Sequence, residues 1–228
     1  CTVLIFALCA DSAQASDKEI SKKEALPQLE PTKLMEGEAK WLGQVLQRAH
    51  YSKVALRKLD QKEFLKTYMS RLDTQRMYFL ESDRERFFDK FLPTIVTYAE
   101  EGNLYPAFEI YSTYRTKTLA RMDWVLKRLQ EDFSFETEEA YAPDRSKANW
   151  PANEKEADEL WELRLKYEVL GEILSSSSSE EEDDTEPVDE DLKEQLQEVC
   201  ERLQGRYERW RKSISEFEAS DVQELYLT

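Results

Sequence analysis

Ser146 and Lys147 stand side by side in "YAPDRSKANWPANEKEADELW", Tyr141 to Trp161. A serine whose proton passes to a lysine is one route to a nucleophile. Neighbours in sequence rarely present both side chains to one reacting atom, so the pair is a weak candidate. His50 is the sole histidine, and Cys200 stands alone in a highly charged stretch. Set between Ala49 and Tyr51, His50 reads as a helix C-terminal residue, where the helix dipole favours a cation. One histidine and one isolated cysteine do not make a usual zinc ligand set, so no metal and no cofactor is expected. The five glycines occur singly, which excludes a phosphate-cradling loop. No Gly-x-Ser-x-Gly elbow is present. Carboxylates are so frequent that no pair of them stands out as an acid and its base.

The densest carboxylate run is also the least specific. Five serines, Ser175 to Ser179, precede nine acidic residues between Glu180 and Asp191, with no basic residue among them. The run lacks the glycine and the alternating spacing of a calcium-binding loop. It reads as a disordered acidic insertion over 175–191. The net charge of −16 repels phosphate backbones and anionic lipid surfaces, so nucleic acid is not an expected partner.

Helices must position whatever these residues do. Charged residues reach 35% and apolar residues 40% of the 228, with few glycines and prolines, a composition that favours long helices over turn-dense sheets. Apolar spacing predicts a helix from Pro31 and Thr32 to about Ala49. Asp60, with Glu63 three residues on, predicts a capped helix to about Leu72. Ser82 and Glu85 repeat that signature before a helix reaching Tyr98, with Pro93 as the place for a kink and Gly102 and Asn103 as its end. A long helix follows from Leu104 to Gln130. Its aromatic stripe, Tyr105, Phe108, Tyr111 and Tyr114, reads as core. Asn153 caps a helix from Glu154 to about Leu174, with Glu156 at the third position and Pro151 holding its predecessor extended. A charged helix runs from Leu192 to about Phe217, and Ser220 caps a last segment. The expected fold is an all-α, irregular bundle of about six helices. Trp150 and Trp161 are expected to anchor the proline corner onto it.

The start of the chain reads differently. Thr2 to Ala10 is an apolar run too short to span a bilayer. "AQA" at 13–15 follows it, the pattern of a signal h-region and cleavage site. A buried terminal helix is the alternative reading, and a lipoprotein signal at Cys9 a weaker one. The expected organisation is a partial signal over 1–15, a flexible lead-in over 16–30, a helical domain over 31–174, the insertion, and a helical continuation over 192–228 that stops in mid-pattern.

Several residues of the corner together resemble one family. Tyr141, the run Asp144-Arg145-Ser146-Lys147, Trp150-Pro151, Asn153-Glu154 and Leu160-Trp161 are similar to the N-terminal helical domain of the tail-specific proteases, exported C-terminal processing peptidases. "RAHYSK" at Arg48–Lys53, "RLDTQRMYFLESDRERF" at Arg71–Phe87 and "ASDVQELYLT" at the end extend the resemblance over roughly Lys33 to Thr228. The serine-acid insertion departs from it.

The resemblance implies a parent enzyme that cuts proteins near their C-termini with a Ser-Lys dyad, and a PDZ module that grips the substrate terminus by strand addition. Both parts would lie past Thr228, so the resemblance implies no catalytic residue here, and Ser146 and Lys147 are not that dyad. Tyr141, Asp144, Arg145, Lys147, Trp150, Pro151, Asn153 and Trp161 become candidates for a structural or interdomain motif. Expected partners are protein substrates and the missing PDZ and protease portion, with membrane contact only through a signal or lipid anchor. The expected location is exported and periplasmic. A free-standing helical scaffold or adaptor is the competing reading.

Overall fold

Proline lacks an N–H and crowds the preceding turn, and Pro93 divides what the periodicity reads as one helix. The computed structural model describes residues 27–49, 60–135, 139–177 and 189–228. Its helices are α1 (Lys33–Ala49), α2 (Gln61–Leu72), α3 (Glu81–Phe91), α4 (Ile95–Glu101), α5 (Tyr105–Arg128), α6 (Glu154–Ser177), α7 (Asp189–Ser215) and α8 (Ala219–Leu227). The fold is all-α among the described residues, with eight helices where about six were expected. The added two come from the break at Pro93, where Thr94 N–H turns back to Phe91 O at 3.0 Å, and from the short α8. The signal and His50 readings lie outside the described residues, as does 178–188. The flanks of the serine-acid run depart from the disorder expected there: α6 continues to Ser177, and α7 begins at Asp189. Ser175 Oγ donates to Gly171 O at 2.7 Å, one turn back within the helix.

Caps follow local chemistry, with two corrections. Asp60 accepts from the N–H groups of Lys62 and Glu63 at 2.9 and 3.1 Å, and Asn153 accepts from Glu156 N–H at 3.0 Å. Ser82 does not cap α3. Leu80 is the capping residue, and the Asp83 side chain accepts its N–H at 3.0 Å. Ser220 likewise gives way to Glu218, whose N–H reaches Asp221 at 2.8 Å. In both helices an aspartate at the third position satisfies the cap from inside. At the end of α4, Gly102 has φ +73°. A methyl group there would also lie 2.5 Å from Glu36 O and 2.6 Å from Lys40 Cβ of α1, so both backbone sign and space require glycine.

α5 is the spine. It packs on α7, α8, α2 and α4, while α6 lies on α7, and α1 on α4 and α8. Ala107, Phe108, Ile110, Tyr111, Tyr114, Thr118, Met122 and Val125 of α5 are buried, a stripe wide enough to face several partners. Tyr105 departs from the expected core stripe. It is 43% exposed, and its hydroxyl meets Lys90 Nζ at 2.9 Å. Trp161, Tyr207, Phe79, Phe87 and Phe91 are fully buried. Burying each such side chain contributes on the order of 2 kcal/mol or more. Among the described residues no helix is long and apolar enough to cross a membrane.

Candidate functional site

Two irregular segments meet on this core, the 73–80 connection between α2 and α3 and the 139–153 connection that leads into α6. The first is built around Asp73, only 1% exposed. Its carboxylate accepts three consecutive backbone N–H groups: Met77 at 2.8 Å, Tyr78 at 2.9 Å and Phe79 at 3.0 Å. These donors would otherwise be buried without partners, because the segment is neither helix nor strand. Arg76 closes the turn with φ +52°, and its N–H donates to Asp73 O at 3.0 Å. A left-handed non-glycine residue costs about 1 kcal/mol. Its guanidinium offsets that cost. It lies over the Trp150 ring at 4.9 Å and donates to Ala148 O.

The second segment supplies the matching half. Trp150 is buried and donates its indole N–H to Asp73 Oδ2 at 2.9 Å. Trp161, from the second turn of α6, donates its own to Met77 O at 3.0 Å. Pro151 O accepts Glu81 N–H at 2.9 Å, and Gln75 Oε1 accepts Arg145 N–H at 2.7 Å. Tyr141 OH reaches Met77 Sδ at 3.7 Å, which Arg164 Nη1 approaches at 3.2 Å. Burial pushes the Asp73 carboxyl above the ordinary aspartate range. Its backbone and indole donors act against that rise.

The predicted residues therefore divide. Tyr141, Trp150 and Trp161 touch the 73–80 segment directly, Arg145 does so through its backbone N–H, and Pro151 O meets the first residue of α3, Glu81. Asn153 caps α6. Asp144 is exposed and bonds locally, accepting Ser146 N–H at 3.0 Å and Ser146 Oγ–H at 2.7 Å, which holds its carboxyl below the usual range. Lys147 is exposed. The Ser146 hydroxyl thus serves a turn. Cys200 is half-buried, and burial raises its thiol above the ordinary range, away from thiolate reactivity. No group of three or more His, Cys, Asp or Glu among the described residues is arranged to hold a metal ion. Asp73, Gln75, Arg76 and Met77 were missed as site residues. The available signal was that Arg71–Phe87 carries the resemblance alongside Tyr141–Trp161.

Residues 42–228 match the tail specific protease N-terminal domain. The chain belongs to this family. Both halves of the tryptophan–aspartate clasp fall within the match. A tail-specific protease of Haemophilus influenzae is 23% identical over 182 residues, covering 80% of this chain and 24% of that protein. The chain thus spans about a quarter of the length of that curated relative. The described residues of this tail-specific protease N-terminal domain hold a two-loop clasp built on Asp73, Trp150 and Trp161.

Proposed function

We propose that this chain is the non-catalytic helical part of an exported, periplasmic serine endopeptidase that processes protein C-termini. In that role it docks against the catalytic portion and helps wall the chamber that receives protein substrates. The partners are then a PDZ and protease portion and the substrate polypeptides themselves.

One observation carries the docking role. Leu34 and Trp41, seven residues apart on α1, are 72% and 65% exposed. Seven residues is two helical turns, so both side chains share one face. α1 packs on α8, where Gln223 Nε2 donates to Met35 O at 3.4 Å and to Glu38 at 3.1 Å. The exposed apolar face therefore borders α8. Burial of side chains as large as Trp41 and Leu34 against a partner would contribute on the order of 2 kcal/mol each.

The test uses the longer polypeptide encoded by the same reading frame. We expect it to cleave a reporter protein near its C-terminus, and the 228-residue chain alone to cleave nothing. Leu34→Asp with Trp41→Asp should slow cleavage at least tenfold while leaving the melting temperature of the isolated chain within a few degrees, as for exposed substitutions. Unchanged cleavage by that variant would remove the docking role. A reading frame without a protease portion would favour the adaptor reading.

A further inference from the structure

Helices hold their places in a fold chiefly by burying apolar side chains. α1 buries very little. Ala39, 6% exposed, is the one buried residue among its described side chains, whereas α5 buries eleven residues. A methyl group is a small apolar surface to remove from water, and the stabilisation scales with that surface. Leu46 joins Leu34 and Trp41 in facing solvent. Gly37 and Gly43 lie inside the 17-residue helix, where glycine is a poor helix former.

The fastenings of α1 are largely to its backbone. Gly102, at the end of α4, lies so close beneath Glu36 O and Lys40 that no side chain fits between them. Gln223 of α8 donates to Met35 O at 3.4 Å. Ahead of the helix, the extended segment at 27–32 is pinned at Pro27 O, which accepts Arg115 Nη1 at 2.9 Å. Arg115 is buried in α5 and directs Nη2 to Ser215 O, at the C-terminal end of α7, at 2.7 Å. Leu29 and Met35 add partly buried contacts with the core.

We propose that the arm at 27–49, the extended segment and α1 together, leaves the core as a unit and melts as it leaves, while α2 to α8 stay folded. A helix of this length with two internal glycines is marginal in water once its packing is lost, so undocking and melting are one step. Among the described apolar residues of the core and its margin, the arm supplies only Ala39, Leu29 and Met35, so its departure opens little of the interior. The face with Leu34 and Trp41 departs with it. A partner gripping those two side chains therefore holds the arm rather than the core. The inference shares α1 with the docking role but rests on how α1 is fastened, and it is read on the 228-residue chain with no catalytic portion present.

Amide hydrogen exchange of the full chain is followed by NMR in buffer and in sub-denaturing urea. We expect the amides at 37–46 to be at least about a hundredfold less protected than those at 110–122 of α5, as for local opening against global unfolding. Their protection should also depend less on urea, because freeing the arm exposes less surface than unfolding the chain. Gly37→Ala, which meets open space, should slow exchange across α1 about fivefold, the worth of replacing a helical glycine. Gly102→Ala, which forces α1 away, should speed it by at least about tenfold while α5 stays protected. Where Gly102→Ala does not fold, the wild-type chain and Gly37→Ala decide. The proposal is overturned by equal protection and equal urea dependence in α1 and α5, or by α1 exchange that Gly37→Ala leaves unchanged.

Discussion

The indole nitrogen of Trp150 lies 2.9 Å from the carboxylate of Asp73, a residue 77 positions earlier in the chain. Three backbone N–H groups share that carboxylate, so four donors depend on one buried anion. Replacing Asp73 with Ala strands all four. At about 1–3 kcal/mol for each donor left unsatisfied, and with water relieving some of them, we expect a loss of about 4 kcal/mol or more in denaturant unfolding. Trp150→Phe keeps a ring in place and removes one donor, for about 1–2 kcal/mol. The double variant should cost less than the sum by at least about 0.5 kcal/mol, because both changes break the same bond. Strict additivity would mean that the contact carries no coupling energy.

Gly102 poses the opposite problem, of space and backbone sign. Gly102→Ala must hold φ +73° and push Glu36 O and Lys40 away. We expect a cost of about 2 kcal/mol or more, with α1 loosened from α4. Gly37 and Gly171 sit inside helices with open space around them. Alanine at either should stabilise by up to about 1 kcal/mol. Thermal melts of the three single variants check both signs, and a stabilising Gly102→Ala would disprove the close approach.

The six buried tyrosines, Tyr68, Tyr78, Tyr111, Tyr114, Tyr207 and Tyr226, predict the alkaline behaviour. Burial is the largest cause of each raised pKa, and it pushes the Tyr114 hydroxyl up to about 12. The charged form is the tyrosinate, which burial disfavours, while an unfolded tyrosine ionises near pH 10. The folded state therefore holds its protons longer. The stability linked to these groups is fully present below about pH 10 and is lost as pH rises from there through 12 and beyond. We expect the tyrosinate absorbance of these six to appear in one cooperative step together with loss of helical circular dichroism. Titration of all eleven tyrosines near pH 10 with the helices intact would contradict this.

The helices were legible because periodicity and caps act within a few residues. Asp60 and the apolar run of α5 placed their helices within one or two positions, and Asn153 placed the start of α6, which runs three residues past the expected end at Leu174. Pro93 announced a break, although only neighbouring contacts decide whether proline bends a helix or ends it. The caps at Leu80 and Glu218 were missed because an aspartate three residues on does the capping, a reciprocal pattern that leucine hides. In the corner, Trp150 and Trp161 stood out by size. Asp73 did not, since one aspartate among many carboxylates reveals its burial only when a partner 77 residues away is known. Arg115 was invisible for the same reason. A cation within a helical pattern reads as solvent-facing until a second helix covers it.

The run Asp144 to Lys147 draws the eye, yet its geometry places the holding forces elsewhere. Arg145 contributes its backbone N–H to Gln75 and one long side-chain bond to Asn149 O at 3.3 Å. Asp144 bonds only to Ser146 among the described residues. Arg145→Ala keeps the backbone donor, so it should cost no more than about 1 kcal/mol, as for other partly exposed side chains. Gln75→Ala leaves that donor without its acceptor and should cost about 1–2 kcal/mol. Trp150→Ala removes a buried ring, its bond to Asp73 and the surface under Arg76, for about 3–5 kcal/mol. The order of denaturation midpoints, with Arg145→Ala highest and Trp150→Ala lowest, checks this. If Arg145→Ala fell as far as Trp150→Ala, the charged run would be the true fastening of the corner.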